Sequence, residues 1–377
     1  MLIFLLSSPI GSSASVVSLN DLRQLASTPG AEVLDQDLKL DYGPFEGSDR
    51  LRSRIAELHS SAENPLTAEN VIITPGSIMA NYLVLGTICE PGDHVICQYP
   101  VYSQLHLLPK HNGVDVSLWA MKEDADWLPD INQLVALIKP NTKAIILNNP
   151  NNPIGAVLPD KFLKQVIQIA EISNIIVFCD EVFSPLFHTD DDKPSPMVSL
   201  GYKNSISSGS LSKSYGIPGV RVGWVVSPNA QLLRKVLTMR DYTTIAVSRL
   251  DDAVAAFALD VDVLPNLMKR NLAHCKEGIQ LIDHFVNSND QCRWTKPKGG
   301  GTAFVQILDR EGRPVDDAAF CAILALEEGL CLVPGGWCFR DDETDDFKGY
   351  CRFPLGDPDV LRKGLPILGR FLAKDAQ

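Results

Sequence analysis

Between residues 71 and 226 the chain repeatedly shows short runs of almost unbroken apolar side chains, each followed by a longer amphipathic stretch. Residues 71–74, 94–97, 144–147 and 175–179 are such runs, and residues 205–208 and 221–226 read as two further strands. A strand with one wet face alternates polar and apolar side chains. A run that is apolar at every position has to be covered on both faces. The stretches between them include residues 77–86 and 160–172, which read as helices. In the second, Lys164, Gln165 and Gln168 mark the wet side. Buried strands alternating with helices require a mostly parallel sheet with helices packed on both faces.

Beyond this region the pattern changes. Residues 248–286 read as long helix broken near Pro265. Strands follow at 303–307 and 349–353, and helices at 316–328 and 357–372. The expected fold class is therefore α/β. A large domain at 40–280 carries a mostly parallel sheet of the seven-stranded type flanked by helices, and a smaller α+β domain combines residues 1–39 with 281–377. A chain of 377 residues is long enough for both.

Charge and cysteine usage narrow the function classes. Forty-six acidic residues against 34 basic ones give a formal net charge of −12. That balance argues against nucleic acid or an anionic membrane as a partner. Nine cysteines are scattered with no Cys-x-x-Cys pair and no metal-ligand spacing, which suits reduced thiols in the cytoplasm. No stretch is long and apolar enough to span a bilayer. The apolar start, Met1 to Leu6, lacks a basic flank and is too short for a signal peptide, so an edge strand or docking arm is expected there.

One lysine stands out chemically. Lys213 sits in a polar, glycine-bounded turn at residues 210–220, between apolar segments, with Ser210 three residues before it and Arg221 eight after. A lysine stripped of water there has a lowered pKa and becomes a nucleophile for carbonyls. Ser210 and Arg221 can hold a phosphate beside it. Lysine plus phosphate clamp is what a Schiff base with pyridoxal phosphate requires.

Other segments fit the same site, each with a plainer alternative. Gly76, Ser77 and Ile78 close a strand and open a helix, which suits a phosphate or an ordinary helix cap. Asp180 ends an apolar strand, where a carboxylate wants a cation such as a protonated pyridine nitrogen, or a structural ion pair. Asn152, in an Asn/Pro/Gly turn, can donate to a ring oxygen or simply shape the turn. Tyr102 can stack on a flat ring or pack in the core. Arg352, inside an apolar strand, suits a substrate α-carboxylate or a salt bridge. Tyr42, by itself, reads as a surface turn.

Taken in order, these segments resemble the class I/II aminotransferases, of fold-type I among pyridoxal phosphate enzymes. The likeness runs from about residue 40 to 355 and is most specific at residues 210–221, with support from Val333, Pro334 and Gly335. The resemblance implies that Lys213 forms the Schiff base and shuttles the proton, and that Asp180 pairs with the pyridine nitrogen. It implies that Asn152 bonds the phenolic oxygen and that Tyr102 stacks on the ring. Gly76, Ser77, Ser210 and Arg221 would bind the phosphate, and Tyr42 would reach the phosphate of the neighbouring subunit, hence a homodimer. Arg352 would receive the α-carboxylate of an amino acid or 2-oxo acid.

Two departures matter. Phe183 stands where the family often has a tyrosine that donates to the phenolic oxygen, so the imine proton is expected to be held more tightly. The N-terminal arm is short, with Ser8, Pro9, Ile10 and Gly11 as what remains of a substrate-covering loop. Both leave room for a different outcome at the same Cα carbanion: a lyase, a cyclase or an oxidase. Two rivals fare worse. Ser210 and Lys213 match the Ser-x-x-Lys pair of penicillin-binding hydrolases, but a Ser-Asp-Asn partner and a Lys-Thr-Gly strand are missing. A non-catalytic module fused to a DNA reader would need an N-terminal helix-turn-helix and a basic patch, neither of which fits.

Overall fold

A computed structural model describes residues 11–189, 193–341 and 346–374. The expectations for the apolar start and for Ser8, Pro9 and Ile10 lie outside the described residues. Seven strands form the larger sheet: β1 (Val71–Thr74), β2 (His94–Tyr99), β3 (Asp115–Ala120), β4 (Thr142–Asn148), β5 (Ile176–Asp180), β6 (Ser205–Ser210) and β7 (Gly223–Val226). Their order is β1-β7-β6-β5-β4-β2-β3. β7 runs antiparallel to both its neighbours and every other pairing is parallel.

β5 shows why its apolar run is unbroken. Val177 and Cys179 pack with Leu163 and Val166 of the helix Asp160–Ile172 on one face. Phe178, between them, packs with Leu83 and Val84 of the helix Ser77–Ile88 on the other. Successive side chains point to opposite faces, and here both faces are dry.

A second, antiparallel sheet follows, in the order β10-β11-β9-β8, built from β8 (Cys292–Trp294), β9 (Thr302–Ile307), β10 (Val333–Pro334) and β11 (Tyr350–Pro354). Ala303, Val305, Cys351 and Phe353 meet the helices Leu264–Asn287 and Pro358–Lys374 on one face. Phe304 and Tyr350 on the other face, stacked with centroids 4.7 Å apart, meet Met121, Trp127 and Ile154 from the loops of the larger sheet. That contact seats the second sheet beside the ends of β3 and β4.

Several local expectations change. β3 was not visible as an apolar run because it is the edge strand, half exposed along most of its length. Residues 221–226 are not one strand: Arg221 adopts a left-handed conformation (φ 54°) after the turn Pro218–Val220, and the strand begins at Gly223. The long helical stretch breaks between Ala258 and Leu264, and Pro265 lies in the first turn of the second helix, where its missing N–H costs nothing. The expected boundary near residue 280 falls inside the helix Leu264–Asn287.

Candidate active site

In a parallel sheet the carboxyl ends of the strands share one edge, and there the functional groups gather. In register, Asn148 at the end of β4 pairs with Asp180 at the end of β5, and Asp180 with Ser208 of β6. Directly beyond β6 the chain turns through Ser212 and Lys213. β7, being antiparallel, starts at this same edge and sets Gly223 opposite Thr74. These ends surround a cavity of about 360 Å³.

Lys213, Asp180, Tyr102, Ser77, Ile78, Asn152, Phe183, Arg221 and Arg352 all line it, as the sequence led one to expect. Four expected residues do not. Ser210 is buried beneath the floor; its hydroxyl donates to Val222 O at 2.8 Å and lies 2.9 Å from Ser212 Oγ. Its hydroxyl is taken up in shaping the turn, and Ser212 takes the cavity position, accepting from Arg221 Nη1 at 3.2 Å. Gly76 is just behind Ser77, where any Cβ would collide with the Arg221 guanidinium. Its φ of 81° and its missing side chain let that guanidinium lie against the helix N-terminus. Tyr42 is 82% exposed and outside the cavity. Gly11 is also outside, and Ser12 lines the cavity instead.

Asn81 and Asn148 also went unrecognised. Asn81 Nδ2 donates to Asp180 Oδ2 at 2.8 Å, and Val182 N donates to Asp180 Oδ1 at 3.0 Å. Asn148 Nδ2 donates to Asp180 O at 2.9 Å, while its Oδ1 accepts from Asn152 N at 2.7 Å. The amides of Asn148 and Asn152 thus tie the floor of the cavity to its wall. Arg352 Nη1 donates to Asn152 Oδ1 at 3.2 Å, and its guanidinium lies 5.7 Å from the centre of the Phe339 ring.

The electrostatics are those of a reactive site. Lys213 is pulled down to about 8, chiefly by burial and then by Arg352, with Asp180 opposing and Arg221 adding. Asp180 is only 2% exposed and makes no ion pair among the described residues. Burial pushes its carboxyl up, against the pull of Asn81, the Val182 N–H and Lys213. Burial holds Arg352 down to about 10.

The family profile for aminotransferase class I and II matches residues 16–342. The chain belongs to this family. Among its aminotransferase-family relatives, capreomycidine synthase of Streptomyces vinaceus is 30% identical over 307 residues, covering 81% of this chain and 75% of the relative. A PLP-dependent aminotransferase from Streptococcus suis superposes with a TM-score of 0.86 at 35% identity, covering 97% of this chain and 92% of the other. The PLP-dependent cyclase OrfR superposes with a TM-score of 0.84 at 27% identity, with 97% and 92% covered.

Pyridoxal phosphate is the cofactor of this class I/II chain, and the cavity fits it. Asp180 is a buried carboxylate facing the cavity with no ion pair among the described residues, and a pyridinium would supply one. Ser77 at a helix N-terminus, Ser212 and Arg221 line the same cavity and can form an anion cradle.

Proposed function

We propose that the protein is an aminotransferase that carries the amino group of an α-amino acid to a 2-oxo acid, working as a homodimer in the cytoplasm. The single observation behind this is Lys213: a partly buried amine, pulled down to about 8, in one cavity with a buried carboxylate and two arginines. When bound, pyridoxal phosphate supplies an aldehyde that takes up amino groups and a ring that accepts the electron pair left at Cα.

The residues divide the remaining work. Ser77, Ser212, Arg221 and the amides at Ser77 and Ile78 hold the phosphate, with Gly76 admitting the guanidinium. Asp180 holds a proton on the ring nitrogen, and Asn81 holds Asp180. Asn152 meets the ring oxygen and Tyr102 covers the ring face. Arg352 grips the substrate α-carboxylate bidentately. Lys213 would link the cofactor covalently, and its freed amine would take the Cα proton and return it two atoms away, at the carbon that was the cofactor's aldehyde. Tyr42, exposed and outside its own cavity, is free to reach the phosphate of the neighbouring subunit.

A second reading has a specific motive. Likeness to capreomycidine synthase and to the cyclase OrfR, together with Phe183 in the cavity, supports a lyase, cyclase or oxidase working from the same Cα proton removal. A screen of amino donors against 2-oxo acid acceptors, with mass detection of products, separates the two. Paired appearance of a new amino acid and a new 2-oxo acid is expected. Ammonia, a cyclic product or peroxide without amino transfer would replace the first reading by the second. Borohydride reduction followed by peptide mapping should mark Lys213, and an unmodified Lys213 would sink both.

A further inference from the structure

Ser12 is buried and accepts a hydrogen bond from Lys213 Nζ at 2.8 Å. It is the one hydrogen bond that this amine makes among the described residues. The serine arrives from a segment remote in sequence, 201 positions away, yet its place is tightly determined. Ala14 N donates to Lys213 O at 2.9 Å, and Ser15 N donates to Gly356 O at 2.9 Å. Arg270 Nη1 donates to Ser15 O at 2.9 Å. Ser15 Oγ donates to Gly356 O at 2.5 Å and lies 2.9 Å from His274 Nδ1. The slot for this segment exists because two glycines beside the second sheet lack side chains. A Cβ at Gly301 would collide with Ser12 O, and one at Gly356 with Ser13 O. The hydroxyl is thus anchored both to the lysine turn and to the second sheet.

The chemistry at Nζ gives such an anchor a purpose. A neutral amine has two N–H bonds and one lone pair, and a four-carbon stem lets the head rotate freely. Proton abstraction needs the lone pair aimed at the Cα–H bond. Other polar groups line the cavity, Asp180, Arg221, Arg352 and Ser212 among them, but Ser12 Oγ is the one that Nζ bonds among the described residues.

We propose that Ser12 is a positioning residue for Lys213: by accepting one N–H of the free amine, it turns the lone pair toward the substrate Cα. This rests on Lys213 being the base. In the step the Cα–H bond breaks, its electron pair passes into the cofactor ring, and the proton forms a third N–H bond on Nζ. The resulting ammonium keeps one N–H on Ser12 Oγ and releases the new proton when the substrate is reprotonated. Ser12 gains and loses no proton of its own.

Two measurements test this, the first on protein free of cofactor. Trace acetylation across pH, with Lys213 followed by peptide mass spectrometry, reports when the amine loses its proton. An acceptor stabilises the ammonium, so Ser12→Ala should move the midpoint down by roughly half a pH unit or more, and Ser12→Thr should restore it. The second follows exchange of the Cα hydrogen of an amino acid with deuterated water in the holoenzyme. Ser12→Ala should slow exchange about tenfold with little change in half-saturation, and Ser12→Thr should recover most of the rate. Ser13→Ala, one residue along the same segment, serves as the packing control and should behave as wild type. If Ser12→Ala is unstable, Ser12→Val has the shape of the rescuing threonine without its hydroxyl and should show the same two effects. Either readout unchanged by loss of the hydroxyl, or a defect that threonine does not relieve, overturns the proposal. Exchange that persists in Lys213→Ala would instead sink the functional reading.

Discussion

Asn81 Nδ2 donates to Asp180 Oδ2 at 2.8 Å, and Ser208 Oγ donates to Asn81 Oδ1 at 2.7 Å. A hydroxyl on β6 therefore decides which end of the amide faces the carboxylate. Asn81 is 1% exposed, so water cannot replace this contact. Hydrogen bonds to a charged acceptor contribute about 1.5–3 kcal/mol. Asn81→Leu should push the Asp180 carboxyl further up and weaken binding of pyridoxal phosphate at least about tenfold, measured by equilibrium dialysis of the protein freed of cofactor. Ser208→Ala, which leaves the amide in place but unfixed, should have a smaller effect in the same direction.

The amine of Lys213, pulled to about 8 by burial and the nearby arginines, should be half deprotonated at about pH 8. Only the neutral amine attacks an aldehyde. The rate at which cofactor-free protein captures pyridoxal phosphate should therefore rise with pH and level off above about pH 9, with its midpoint near 8. Stopped-flow absorbance follows this directly. A midpoint close to that of an ordinary lysine would contradict the described surroundings.

Phe183 lines the cavity and is 1% exposed, with a Cβ at Gly300 coming only 3.5 Å from its ring. A phenylalanine cannot donate to the ring oxygen of the cofactor. Phe183→Tyr adds that donor, which favours the deprotonated form of the Lys213 linkage. The midpoint of the visible absorbance titration should fall by about one pH unit in the variant. A midpoint that stays or rises would mean the hydroxyl does not reach the oxygen.

Glu181, the neighbour of Asp180, faces away from the cavity. It accepts from Met197 N at 2.7 Å and lies 3.8 Å from His59 Nε2. Burial pushes its carboxyl up to about 7 and pulls His59 down to about 4. The folded chain thus keeps a proton on Glu181 that the unfolded chain has released above its ordinary carboxylate range. That contribution is complete at low pH and is lost as pH rises through about 7. His59 acts with the opposite sign, its contribution fading as pH falls from its ordinary value toward about 4. Between pH 6 and 8 Glu181 dominates. Glu181→Gln should gain about 1 kcal/mol on wild type over that interval, read from denaturant unfolding at both pH values.

The parts of the site that could be read in the chain are those whose chemistry is local. Lys213 lies within eight residues of Arg221, inside one turn, and Asp180 directly ends an apolar run. Strands β1, β2, β4 and β5 were recognisable because both their faces are buried, which forces apolar side chains at every position. β3 escaped notice as a half-exposed edge, and β8 because three residues carry too little pattern.

What the chain alone established was a layered α/β architecture and a lysine with a phosphate clamp, because periodicity and a short polar turn are properties of neighbouring residues. Only the packed structure decided that Ser12 meets Lys213, that Asn81 holds Asp180, and that Ser212 displaces Ser210 at the cavity wall. The first two contacts join residues 201 and 99 positions apart, and the third depends on which hydroxyl a turn folds inward. Such meetings depend on strand order and on room left by missing side chains, as at Gly301 and Gly356, and neither leaves a mark in the sequence next to the residues it unites.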